Sequence, residues 1–187
     1  MTLQNLRQKN LLQISNIPRI LLIIALVYLM ARFWELRGQV FLLINFWGFS
    51  WLHLVNLIFH EAGHFIFFFT PRQFMVFMGT GLQILIPFGV MVGFLRQKDW
   101  FAASVMAWWG FQNVFDSSYY IADGEKRNLP LITGDPDSHD WWFLFREWGI
   151  LEQADEIGRV VMLVGFGGMM LTVGWMIATL FCKSETK

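Results

Sequence analysis

The chain alternates between long apolar stretches and shorter polar segments, which is typical of a protein that crosses a membrane several times. Five apolar stretches are candidate membrane helices, and they cover residues 20–34, 40–70, 74–95, 100–122 and 157–182. A polar segment, residues 1–17, precedes the first stretch, and a polar loop, residues 123–146, separates the fourth from the fifth. The pattern predicts an all-α fold: a polytopic membrane helix bundle with about five transmembrane helices, forming one integral membrane domain over residues 1–187.

The ends and the lengths of the stretches add two expectations. No small-residue cleavage site follows the first stretch, so we expect a retained helix and not a signal peptide. A straight helix over residues 40–70 would be roughly 45 Å long, which exceeds the ~30 Å hydrocarbon core of a bilayer. The second stretch must therefore tilt, protrude or break, and Gly48 and Gly63 are the expected break points.

Composition supports a membrane location and excludes other classes. Hydrophobic residues make up 56% of the chain and charged residues only 15%, whereas about 25% are charged in soluble domains. The net charge is zero, so nucleic acid is not an expected partner. The one cysteine, Cys182, excludes a disulfide framework within the chain. The expected partners are membrane lipids, with a transmembrane protein substrate or partner subunits.

Candidate chemistry lies in the second stretch, where residues 60–64 spell His-Glu-Ala-Gly-His. Two histidines four residues apart project from one face of a helix, and that spacing lets both imidazoles bind one Zn²⁺. Glu61 is then placed to act as a base on water at the metal. Ionisable groups inside an apolar span are costly and usually functional. The motif therefore predicts zinc ligands at His60 and His64, and a catalytic role for Glu61.

A catalytic zinc needs a third protein ligand, and the fourth stretch offers one. Asp116 and His64 each lie about six residues before the end of their predicted spans, so they are expected at similar depth. Further polar side chains on the second, third and fourth stretches are expected to support the ligands or to position substrate: His53, Asn56, Gln83, Asn113 and Asp123.

The polar loop supplies the alternative third ligand. His139 is the one histidine outside the second stretch, and it precedes Asp140. The loop lies on the same side of the membrane as the predicted site, so it could fold back and present His139 to the metal. If Asp116 is the ligand, His139 or Asp140 could orient the substrate or the bound water. The residues leave both possibilities open.

The HEAGH motif within a span, followed by an acid in a later span, resembles the site-2-protease-like group of intramembrane zinc metallopeptidases. The resemblance implies cleavage of transmembrane segments, with His60, His64 and Asp116 on zinc and Glu61 as general base. The family's aspartate precedes glycine, whereas Asp116 precedes Ser117. Residues 83–87, 113–123 and 129–141 are also similar to small bacterial membrane proteins with the same HEAGH core. We accordingly expect an integral protein of the bacterial inner (plasma) membrane.

Two functions follow as hypotheses. The first is an intramembrane zinc metalloprotease-like protein that hydrolyses peptide bonds in or near the membrane. The alternative is a non-catalytic subunit of a membrane complex, stabilised by metal or derived from an enzyme. A transporter of divalent metal would be expected to carry ionisable residues along several spans, and the sequence shows one polar cluster.

Overall fold

Helices account for all the regular secondary structure in the part of the chain that the structure describes. The structure is a computed structural model, which describes the backbone of residues 3–181 and the side chains of residues 16–39 and 42–181. Cys182, at the end of the last predicted span, lies outside the described residues. The α-helices are α1 (Leu3–Leu36), α2 (Val40–Asn45), α3 (Trp47–Ile66), α4 (Arg72–Arg96), α5 (Trp100–Ala122), α6 (Asp140–Trp148) and α7 (Ala154–Phe181). Short 3-10 helices lie at Pro136–Ser138 and Leu151–Gln153.

Three of the described segments are long and apolar enough to cross a membrane: Asn16–Leu36, Arg72–Arg96 and Leu151–Phe181. They expose large apolar side chains, such as Leu171 at 77%, as expected of an integral membrane protein. The other two predicted spans correspond to α2 with α3 and to α5. These are not among the three, and it is α3 and α5 that carry the polar residues of the predicted site. The structure thus supports fewer spans than the five expected.

Helix extends into both polar segments. Helix α1 begins at Leu3, so the backbone of residues 3–17 is helical and continues into the first apolar stretch; the side chains of residues 1–15 lie outside the described part. The predicted loop 123–146 ends within a helix, because α6 begins at Asp140.

The predicted second span is interrupted, but not at a glycine. The break falls at Phe46, which is extended between α2 and α3, and the helix ends at Ile66 instead of residue 70. Gly48 and Gly63 both lie inside α3, so the prediction that they break the helix was wrong. A Cβ at Gly63 would lie 2.1 Å from the Met78 carbonyl oxygen of α4. This glycine permits a close helix crossing and does not supply flexibility.

Helix α5 packs against α4 on one side and α7 on the other, while α3 packs against α4. The contact between α5 and α7 depends on small residues of α7. A Cβ at Gly165 would lie 2.5 Å from the Phe115 backbone nitrogen, and one at Gly158 would lie 2.5 Å from Ala122 Cβ. These glycines let the two helices approach closely. Helix α5 in turn meets α3, where Asn56 Nδ2 donates to Gln112 Oε1 at 3.0 Å and to Asp116 Oδ2 at 2.9 Å.

The chain between α5 and α6 is turned back by hydrogen bonds at its two ends. Asp123 caps the end of α5 and accepts hydrogen bonds from the backbone N–H groups of Asn128 and Leu129, at 3.0 and 2.9 Å. At the other end, His139 Nδ1 accepts from the backbone N–H of Trp142, at 3.2 Å, and so caps α6. These hydrogen bonds place Asp140, the first residue of α6, beside α3.

Candidate metal centre

His60 and His64 lie on successive turns of α3, and their rings converge. Their Nε2 atoms are 3.1 Å apart, which agrees with the one-turn spacing of the motif. His60 is buried and His64 is half-buried. This helix alone therefore brings the two histidine nitrogens close enough to share a metal ion.

A third donor atom comes from α6. Asp140 Oδ2 lies 2.9 Å from His60 Nε2 and 3.1 Å from His64 Nε2. In a tetrahedral zinc site with bonds of 2.0–2.1 Å, neighbouring ligand atoms are about 3.3 Å apart. The three atoms thus nearly match one face of a coordination tetrahedron, which leaves the fourth position for water or substrate. The donor set of two imidazoles and one carboxylate suits zinc, although other divalent metals accept the same ligands.

The surroundings orient two of the three ligands. His64 Nδ1 donates to the Met75 carbonyl oxygen at 3.1 Å, which leaves Nε2 as the nitrogen with a free lone pair. The backbone N–H of Asp140 donates to the Tyr120 hydroxyl at 2.9 Å. Trp141 Nε1 donates to Thr80 Oγ1 of α4 at 3.2 Å. Because these contacts join α6 to both α4 and α5, Asp140 is held in place by the bundle.

Electrostatics keep the Asp140 carboxyl group in the form that binds a metal. Burial raises the pKa of Asp140, but hydrogen bonds and charge from His60 and His64 outweigh this effect, so the pKa lies below its ordinary value. The carboxylate is consequently ionised at neutral pH and available as a ligand.

The backbone of α4 forms a close wall beside the ligands. A Cβ at Gly79 would lie 2.5 Å from both Cε1 and Nε2 of His64, and 2.9 Å from His60 Cε1. Only a glycine leaves the imidazoles room at this crossing. The glycines of the two helices therefore have a shared effect, since Gly63 brings the helices together and Gly79 makes space for the ligands.

Glu61 faces a cavity of about 380 Å³ that also contains the three donor atoms. It is exposed and has no hydrogen-bond or ion-pair partner among the described residues, so its carboxylate is available to act on a bound molecule. The cavity extends along α3 past His53 to Phe49, and residues 129–133 of the returning loop also line it. A site with a free carboxylate beside three metal ligands is suited to general-base chemistry on water.

Asp116, the predicted third ligand, is located elsewhere. Its carboxylate lies 2.9 Å from His53 Nδ1 and 2.9 Å from Asn56 Nδ2, with Gln83 Nε2 at 3.4 Å. It therefore faces α3 one to two turns before the histidine pair. The prediction of equal depth assumed that the second span ends at residue 70. Helix α3 ends at Ile66 instead, so His64 lies closer to the end of its helix than the prediction assumed.

The alternative ligand, His139, is also directed away from the pair. Its Nδ1 caps α6, and its Nε2 lies 3.5 Å from Asp123 Oδ2. Asn113 donates to the Trp109 carbonyl oxygen within α5, at 2.9 Å, and does not join the ligand group. His139 and Asp123 thus hold the loop in a position that presents the neighbouring Asp140.

Sequence reasoning gave Asp140 only an orienting role and overlooked Thr80. The sequence feature that could have pointed to Asp140 was the His139-Asp140 pair, in a loop on the same side of the membrane as the predicted site. That signal favoured the histidine, because histidine is the commoner metal ligand, and nothing in the local pattern shows which of two adjacent residues faces inward.

No protein-family model, no curated protein and no solved structure matches the chain. The geometry of the site is therefore the basis for assigning a function.

Proposed function

We propose that the chain is a zinc-dependent peptidase of the membrane, which hydrolyses peptide bonds in or near the bilayer. The observation that carries the proposal is the convergence of His60, His64 and Asp140 next to Glu61 in one cavity. The resemblance of the HEAGH motif to site-2-protease-like enzymes supports the same reaction, with Asp140 in place of the expected Asp116. The proposal includes five membrane-crossing segments and the bacterial inner membrane as the location.

The residues have separate roles in this reaction. His60, His64 and Asp140 would hold Zn²⁺, which supplies a Lewis acid for a carbonyl oxygen and lowers the pKa of water toward about 7. Glu61 takes the proton from the attacking water and returns it to the leaving amide nitrogen. The His64 contact with the Met75 carbonyl keeps the ligand nitrogen directed at the site.

The cavity is suited to an apolar peptide segment. Leu57, Leu129 and Ile132 lie on its walls, and its acidic and histidine side chains are the metal ligands, Glu61, His53 and Asp116. A transmembrane protein that enters from the lipid could place an unwound, extended stretch along α3. Apolar side chains would then be buried against the cavity wall, while the carbonyl of the peptide bond to be cleaved would lie at His60, His64 and Asp140, the residues that would hold the metal.

The test is Glu61→Gln, which keeps the shape of the side chain and removes the base. We expect the variant to retain zinc but to cleave a panel of fluorogenic apolar peptides at least about 10²-fold more slowly. Glu152→Gln is the matched control, since Glu152 is exposed and lies outside the cavity. Retained proteolysis by Glu61→Gln would contradict the assignment of the base.

A non-catalytic, metal-stabilised subunit is the second candidate, and one observation favours it. The ligand group joins α3 to α6 across the 123–139 loop, so a bound ion would tie the loop to the bundle. In that case His60→Ala would lower the thermal stability of the protein in zinc, while Glu61→Ala would leave both stability and the function of the host complex unchanged.

A further inference from the structure

A second polar cluster lies in the same cavity, and the proposed hydrolysis does not use it. Its centre is the pair of His53 and Asp116, whose Nδ1 and Oδ1 atoms are 2.9 Å apart. The Asp116 side chain is 3% exposed, whereas that of His53 is 47% exposed. One partner of the pair is therefore anchored in the bundle and the other faces the cavity.

A chain of hydrogen bonds fixes the orientation of the amide that supports the pair. Trp109 Nε1 can only donate, and it lies 3.0 Å from Asn56 Oδ1. Asn56 Oδ1 is thus an acceptor, and Asn56 Nδ2 must be the donor to Asp116 Oδ2 at 2.9 Å and to Gln112 Oε1 at 3.0 Å. The half-buried Trp109 indole of α5 therefore decides which way the Asn56 amide points.

This orientation determines where the proton of His53 resides. Asp116 Oδ2 accepts from Asn56 Nδ2, with Gln83 Nε2 as a further donor at 3.4 Å. His53 Nδ1 lies 2.9 Å from Oδ1 of the same group, and a carboxylate can only accept, so His53 Nδ1 carries the hydrogen. A neutral imidazole has one N–H group, which leaves Nε2 as an acceptor on the ring edge away from Asp116.

The distance along α3 from His53 to the metal group can be compared with the length of an extended peptide. His53 precedes His60 by seven residues, or about 10.5 Å along the helix axis. An extended peptide advances about 3.3 Å per residue, so three residues span the distance. Between the two points the cavity wall includes Leu57 and Leu129. A peptide N–H buried against such a wall without an acceptor costs free energy.

We propose that His53 is a substrate-contacting residue, whose Nε2 accepts a hydrogen bond from a backbone N–H of an extended peptide, about three residues from the bond at the metal group. The inference rests on the proposed function, because it takes a peptide as the occupant of the cavity. Asp116, Asn56 and Trp109 act through His53 and are positioning residues. The ligand class is an apolar peptide with a free amide hydrogen at that residue.

The first test measures the tautomer of His53 by ¹⁵N NMR of the full-length protein labelled at histidine. His53→Phe assigns the resonance. We expect the proton on Nδ1 in the wild type. In Asp116→Asn, Asn56 and Gln83 keep the new carbonyl oxygen at the Oδ2 position, so the new amide donates to His53 Nδ1 and moves the proton to Nε2. A proton on Nε2 of His53 in the wild type would overturn the proposal, regardless of the peptide-binding results.

The second test measures binding to the zinc-loaded Glu61→Gln protein, which separates recognition from cleavage. The probes are apolar heptapeptides, each N-methylated at one position, so that one amide hydrogen is missing at a time. We expect one position to lose about tenfold in affinity, the magnitude of one hydrogen bond. That loss should disappear in His53→Phe and persist in Leu57→Met, a control that changes the same cavity wall without a polar group.

The outcomes separate this inference from the proposed function. Suppose that the wild type cleaves peptides, but that N-methylation lowers the affinity of His53→Phe as much as it lowers that of the Glu61→Gln protein. The peptidase assignment then stands and the His53 contact is refuted. If the His53-dependent loss is seen while wild type cleaves nothing, the contact stands and the hydrolase assignment fails. Absence of binding by every heptapeptide would overturn the contact, and metal content would still test the centre itself.

Discussion

Replacing Gly79 with alanine tests the metal centre without removing a ligand. The new Cβ would lie 2.5 Å from His64 Cε1 and Nε2, whereas ordinary contacts begin at 3.4 Å. The His64 ring must therefore move by about 1 Å, because the new Cβ is attached to the α4 backbone, which is held by its packing and cannot yield. A shift of this size would also disturb the hydrogen bond from His64 Nδ1 to the Met75 carbonyl.

The expected loss of metal affinity follows from the tolerance of the site. Metal–ligand distances are maintained within about 0.2 Å, so a 1 Å displacement removes His64 from effective coordination. Disturbing the groups that orient a ligand typically costs 10–100-fold in affinity, and we expect the upper end, about 100-fold or 2.7 kcal/mol. Overpacking alone would add about 1–3 kcal/mol of destabilisation.

The assay is competition for zinc between the purified protein and a chelator of known affinity. Gly89→Ala is the matched control on the same helix, because nothing lies within 4 Å of a Cβ at Gly89. It should bind zinc as wild type does. Equal zinc affinity in Gly79→Ala and Gly89→Ala would refute the conclusion that His60 and His64 share an ion beside Gly79.

Three further substitutions probe the ligand set and the loop that positions Asp140. Asp140→Asn should abolish stoichiometric zinc, and Asp116→Asn should retain it, as measured by mass spectrometry of metal content; the reverse result would return the third ligand to Asp116. Burial raises the pKa of Asp123, but His139 and the backbone N–H groups of Leu129 and Asn128 outweigh this and lower it. Its stabilising effect is therefore complete above the ordinary pKa of about 3.9 and is lost as pH falls through the lower folded value. Asp123→Asn should accordingly lower the thermal stability at neutral pH but not in strong acid, and a difference that is independent of pH would contradict this reasoning.

Local sequence patterns determined the helices and the paired histidines of this protein. The apolar stretches predict helical segments since each pattern depends on neighbouring residues along the chain. The four-residue spacing of His60 and His64 specifies a shared face on any helix, so their convergence required no knowledge of the fold. The hydrophobic composition likewise indicated the membrane without reference to contacts.

Tertiary packing decided the third ligand and the partners of Asp116. Whether Asp116 or Asp140 meets the histidines depends on where α3 ends, on the register of α5 against it and on the path of the 123–139 loop. The close contact of Gly63 with Met78 sets the register of α3 against α4, and the hydrogen bonds of Asn56 with Gln112 and Asp116 set that of α5 against α3. The loop path is set by Asp123 and by the His139 cap. These contacts join residues far apart in the chain, so no local pattern records them. The site is complete only in the folded bundle, where the returning loop brings Asp140 to the two histidines.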